Sequence, residues 1–96
     1  MNIRRLILDV DMARKRPTVI EVAKELSKLP EIEAVNITVD GIDLETVGTE
    51  ILIEGEELDY DKIIQIIERT GAVVHSIDQI VVGSRMIEYI SRVRGQ

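Results

Sequence analysis

From residue 3 onward, apolar and polar positions alternate with the period of a strand. Leu6, Leu8 and Val10 fall on one face and Arg5, Ile7 and Asp9 on the other. This predicts a first strand over residues 3–10, followed by a loop over the polar stretch 11–16. After Pro17 the period becomes that of a helix: Val19, Val22, Ala23, Leu26 and Leu29 share one side. Thr18 and Glu21 have the spacing of a capping box at its start, and Pro30 ends it by disfavouring the α conformation at Leu29. A second strand begins near Ile32, with Val35, Ile37 and Val39 alternating against Ala34, Asn36, Thr38 and Asp40. Ile42 and Leu44 resume the alternation one residue out of phase. That shift predicts a β-bulge at Asp40-Gly41, in preference to a two-residue turn there, and a reversal at residues 45–48. A third strand over 49–54 then turns Ile51 and Ile53 inward and Glu50, Leu52 and Glu54 outward, and Gly55 breaks it. Asp59 is placed to cap a second helix over 60–70, whose apolar side carries Tyr60, Ile63, Ile64 and Ile67 and which stops at Gly71. Residues 72–82 read as the last strand. Its alternation puts Val73, His75 and Ile77 on one face and Val74, Ser76, Asp78 and Ile80 on the other, without deciding which face is inward.

Strand, helix, two strands, helix, strand is the pattern of an α+β, ferredoxin-like βαββαβ sandwich: a four-stranded antiparallel sheet with two helices on one face. The domain spans residues 1–83 and leaves a tail over 84–96. In the tail, Met86, Ile87, Ile90 and Val93 recur at helical spacing beside Arg85, Arg92 and Arg94, which predicts a short C-terminal amphipathic helix. A helix that short needs something to pack against. The second sheet face, with Arg5, Ile7, Asp9, Asn36, Thr38, Glu50, Leu52 and Glu54, is half apolar and half charged, as suits a subunit contact or a ligand floor.

Composition narrows the chemistry. The 96 residues are 45% hydrophobic but include two Tyr and no Phe or Trp, so the core is aliphatic. Without Cys there is no disulfide, thiolate metal site or cysteine nucleophile. No apolar run approaches the ~20 residues that span a bilayer, and the N-terminal run is too brief for a signal sequence. A cytoplasmic, soluble protein with no membrane partner is expected. The net charge of −6 is unevenly spread: residues 31–61 hold eleven acids and no Lys or Arg, while the rest holds seven acids and all twelve bases. Such segregation suits cation binding or pairing with the basic part of another copy. Nucleic acid is not an expected partner, since a coherent basic face and stacking aromatics are both missing. The six glycines are isolated from one another, and no phosphate-binding loop is formed.

His75, the one histidine, stands with Ser76 and Asp78 in a triad-like cluster. Strand alternation points Ser76 away from His75, which rules out a hydrogen-bonded triad along one strand. An acid–base pair of Asp9 and His75 would require both on the open sheet face. Carboxylates are the better candidates, because Ca²⁺ and Mg²⁺ take oxygen ligands. Asp43 and Glu45 near the hairpin tip lead the set, with room there for ligands from another chain; Asp40, Asp9, Asp11 and Asp78 complete it. None has the spacing of an EF-hand loop.

Leu8-Asp9, Val35-Asn36-Ile37-Thr38, Ile42-Asp43 with Glu45-Thr46, and His75-Ser76-Ile77-Asp78 together resemble the archaeal family called domain of unknown function 211, over residues 3–83. The resemblance leaves the arginine-bearing tail uncovered. It implies a ferredoxin-like fold akin to ACT-type regulatory domains, self-assembly, and calcium binding by acidic groups; it implies no enzymatic activity. The expected function is therefore that of a homo-oligomeric binding protein of ring-like assembly, holding a divalent cation at subunit contacts. The alternative is an ACT-like sensor of small molecules held between subunits.

Overall fold

The structure is a computed structural model and describes residues 1–88. Six elements follow in the order β1 (Ile3–Ala13), α1 (Val19–Leu26), β2 (Ile32–Ile42), β3 (Thr46–Gly55), α2 (Tyr60–Arg69) and β4 (Val73–Val82). The four strands form one sheet in the order β2-β3-β1-β4, antiparallel at every pairing. Two strands joined through a helix thus lie with a third inserted between them, which is the ferredoxin-like arrangement. Leu6, Leu8 and Val10 of β1 and Ile51 and Ile53 of β3 are wholly buried in the same core as Val22 and Leu26 of α1 and Ile63 and Ile67 of α2. Both helices therefore cover one face, and the other is open.

The caps follow the sequence. Thr18 Oγ1 accepts from Glu21 N at 3.1 Å and Glu21 Oε1 accepts from Thr18 N at 3.3 Å, closing the capping box. Asp59 Oδ1 accepts from Lys62 N, and Gly71 leaves α2 with φ +104°, a conformation glycine adopts without penalty. Gly55 serves differently from the strand breaker expected. It is the last residue of β3, paired with Ile32, and a Cβ there would run into the Glu31 carbonyl oxygen and the Leu58 side chain. Glycine is needed at this point for space.

Three boundaries move. α1 stops at Leu26, with Ser27 as its C-cap, three residues before the Leu29 expected ahead of Pro30. β1 runs three residues further than expected, because Asp11, Met12 and Ala13 pair with Gly48, Val47 and Thr46, and Met12 is buried. The reversal accordingly falls at residues 43–45, ahead of 45–48. The expected bulge is present: Val39 pairs with Thr49 and Gly41 with Gly48, leaving Asp40 as the extra residue. β4 contains two irregularities. Asp9 pairs with Ser76 and Val10 with Val74, leaving out His75; Ile7 pairs with Gln79 and Leu8 with Ile77, leaving out Asp78. Each shift resets the phase, which is why simple alternation could not orient this strand.

The open face is less contradictory than its composition suggested. Arg5, 9% exposed, donates from Nε to Glu54 Oε2 at 2.9 Å and from Nη1 to Gln79 Oε1 at 3.1 Å. One guanidinium thus ties β3 to β1 to β4 through cross-strand pairs. Residues 84–88 have neither helix nor strand, and the rest of the expected tail helix lies outside the described residues.

Candidate functional site

The β2–β3 hairpin forms an arm ending in an acidic tip. Its turn is built on one carboxylate: Asp43 Oδ1 accepts from Glu45 N (3.2 Å), Thr46 N (3.2 Å) and Thr46 Oγ1 (3.1 Å). Such side-chain-to-backbone bonds let aspartate close a turn. They also stabilise the charged form. Led by the Glu45 and Thr46 amides, and helped by the Arg14 charge, they hold the Asp43 carboxyl below its ordinary value. All three bonds reach Oδ1, so Oδ2 is the oxygen left to face a ligand. Arg14, just past β1, fastens the arm from the other side, with its N donating to Glu45 O at 3.0 Å and its Nη1 to Asp43 O at 3.4 Å.

Beside the turn lies a shallow pocket of about 330 Å³, lined by Asp11, Gly41, Ile42, Asp43, Thr46 and Gly48. Gly48 keeps it open: a Cβ there would stand 3.1 Å from Asp40 Oδ1 and 3.7 Å from Asp11 Oδ1. Of the six carboxylates singled out from the sequence, Asp11 and Asp43 line this pocket, and Asp40 lies beside its Gly48. Glu45 is exposed at the tip, and Asp9 lies further along β1 opposite Glu50 and Ser76. Asp78 is on β4, where it accepts from Ser76 Oγ at 2.8 Å. Among the described residues, no three of His, Cys, Asp and Glu converge closely enough to hold a metal ion. One copy offers at most a partial ligand set for a hard cation that takes six to eight oxygens.

His75 Nε2 lies 2.8 Å from Asp11 Oδ2, so its carboxylate neighbour is Asp11, in place of the Asp9 an acid–base pair would have used. The irregularity at His75 explains this. Strand alternation does not hold across a bulge, and it was the wrong ground for separating His75 from Ser76. The triad is nevertheless missing, because Ser76 Oγ donates to Asp78. Strand registers that include two bulges are not encoded in a period-2 pattern, and the His75–Asp11 pair had no signal in the sequence.

A second concavity, of about 480 Å³, lies between the two helices at the end where α1 begins and α2 stops. Arg16, Lys24, Arg69 and Ile66 are among its lining residues. Among the described residues, no helix is long and apolar enough to cross a membrane.

A family model described as "Uncharacterized ArCR", domain of unknown function 211, matches residues 4–96. The match takes in the C-terminal tail that the resemblance had left uncovered. An uncharacterized protein of the archaeon Methanocaldococcus jannaschii is 43% identical over 89 residues, covering 93% of this chain and 91% of its own length. Similarity of that extent over nearly the whole chain shows kinship: the protein belongs to the archaeal domain-of-unknown-function 211 family.

Proposed function

We propose that the protein is a non-catalytic, homo-oligomeric binding module whose acidic hairpin arm is its contact element, with a divalent cation such as Ca²⁺ held by arm carboxylates at the subunit contact. The observation that carries this reading is the tip of the arm. Ile42 is 64% and Leu44 89% exposed there, beside the exposed carboxylates of Asp43 and Glu45. A solvated turn has no use for two large aliphatic side chains, whereas a contact element needs an apolar anchor with charges around it. The edge strand β4 adds further apolar surface in Val73, Ile77, Ile80 and Val82, each more than 40% exposed. Long aliphatic edges invite pairing with another chain.

The cation belongs beside the turn of the arm, where Asp11 and Asp43 line one pocket with Asp40 next to its Gly48, and a second copy, backbone carbonyls and water would complete the coordination. Calorimetric titration of Ca²⁺ into the chelator-treated protein tests this part. Binding is expected for the natural sequence and weaker binding for Asp43→Asn, which keeps a turn-forming amide oxygen and removes the charge. An absence of both heat and thermal shift would remove the cation from the account. A thermal shift with amino acids and none with Ca²⁺ would favour the ACT-like sensor.

A further inference from the structure

Among the described residues two surfaces lack a partner, and they match each other. One is the arm tip, with Leu44 at 89% exposure and Glu45 next to it. The other is the groove between α1 and α2. Its half-buried Ile66 is flanked by Arg16, Lys24 and Arg69. The acids in this groove are already engaged: Glu21 closes the α1 capping box and lies 3.6 Å from Arg16, and Glu25 pairs with Lys28 at 2.8 Å. Among the described residues, neither Lys24 nor Arg69 has an acidic partner. Ile20, 73% exposed, stands on α1 one turn before Lys24 and extends the apolar surface on that helix. The groove therefore offers an apolar floor with uncompensated positive charge at its rim. The arm offers one large aliphatic side chain beside a carboxylate.

We propose that the arm tip of one copy seats in the α1–α2 groove of a second copy, with Leu44 against Ile66 and Glu45 between Lys24 and Arg69. This rests on the homo-oligomeric reading above and names the receiving surface for its contact element. Charge complementarity selects the occupant. The acidic stretch 31–61 contains the tip, and the groove belongs to the basic remainder of the same chain, so a second copy carries the matching patch. An apolar residue at the centre of a contact with charge at its rim follows the anatomy of protein interfaces.

The test is complementation between two full-length variants, Leu44→Asp in the arm and the double substitution Lys24→Glu/Arg69→Glu in the groove. All three positions are exposed, and circular dichroism verifies that each variant folds. By light scattering each variant alone is expected at the mass of a single 10.8 kDa chain. Their equimolar mixture is expected at about twice that mass, because the intact arm of one fits the intact groove of the other. If the natural protein assembles and either variant alone assembles equally well, the arm–groove contact is wrong while the homo-oligomeric reading stands. Monomeric variants whose mixture also stays monomeric overturn the contact in the same way. A natural protein that is itself monomeric removes both.

Discussion

Asp43 shows how one side chain can serve two purposes. With Oδ1 taken by two amides and a hydroxyl, it sets the arm's reversal, and Oδ2 stays outside these bonds for the proposed cation. The sequence marked Asp43 as a ligand candidate and overlooked the turn, although an Asp followed at the third position by Thr is a turn-closing arrangement. The lowered pKa has a definite sign for the arm. A carboxylate whose folded value is depressed contributes stability above its unfolded pKa, near 3.9, and loses it as pH falls through the lower folded value. In an NMR titration, the Asp43 carboxyl is expected to titrate below the ordinary aspartate value, and the Glu45 and Thr46 amide signals are expected to move with it. An Asp43 midpoint at or above about 3.9 would contradict the turn geometry. Asp11 teaches the complementary lesson: its partner His75 is 64 residues away in sequence and reaches it through a bulge.

At the scale of elements, capping and periodicity sufficed for both helix starts and the end of α2, whereas α1 stops at Leu26, short of the expected Leu29. Thr18, Asp59 and Gly71 were legible because each terminus uses a local, residue-specific device. Strand ends were less legible, because a strand continues as long as a neighbour offers hydrogen bonds. β1 extends through Ala13 since the arm is there to pair with it, and no local pattern announces that. β4 defeated alternation through its two phase resets, while the bulge at Asp40 was readable because the apolar pattern itself slips there. Gly55 carries a prediction at this scale. Gly55→Ala forces a methyl group against the Glu31 backbone and the Leu58 side chain, where β3 closes against the start of β2. The cost is expected to be about 1–3 kcal/mol, the range of an overpacked site. Urea denaturation measures it, and an unchanged midpoint would show that the Glu31 segment yields freely.

For the whole molecule, the division of charge seen in the sequence acquires a geometry. The acidic segment becomes the β2–β3 arm and the loop after it; the basic segments become the β1–α1 loop, parts of both helices and the ends of the domain. The fold itself was legible from the order of elements, and the open face was legible as anomalous. Its resolution through the Arg5 pairs to Glu54 and Gln79 needed the register. The pocket beside the turn was half legible: Asp11, Asp43 and the neighbouring Asp40 were named, but they could not be separated from Asp9, Glu45 and Asp78 without the register of β3 on β1. The α1–α2 groove was not foreseen, because its lining comes from two segments distant in sequence, residues 16–25 and 66–70. The apolar acidic tip and the basic groove, which the described domain does not cover, are the two halves of the contact proposed with a second copy. Charge pairing across such a contact weakens as salt screens it, whereas apolar burial persists. Light scattering at micromolar concentration, in low and in high salt, tests the homo-oligomer most directly. The account predicts a mass that is a multiple of 10.8 kDa in low salt, with the share of monomer rising in high salt. A single-chain mass in both conditions would contradict it.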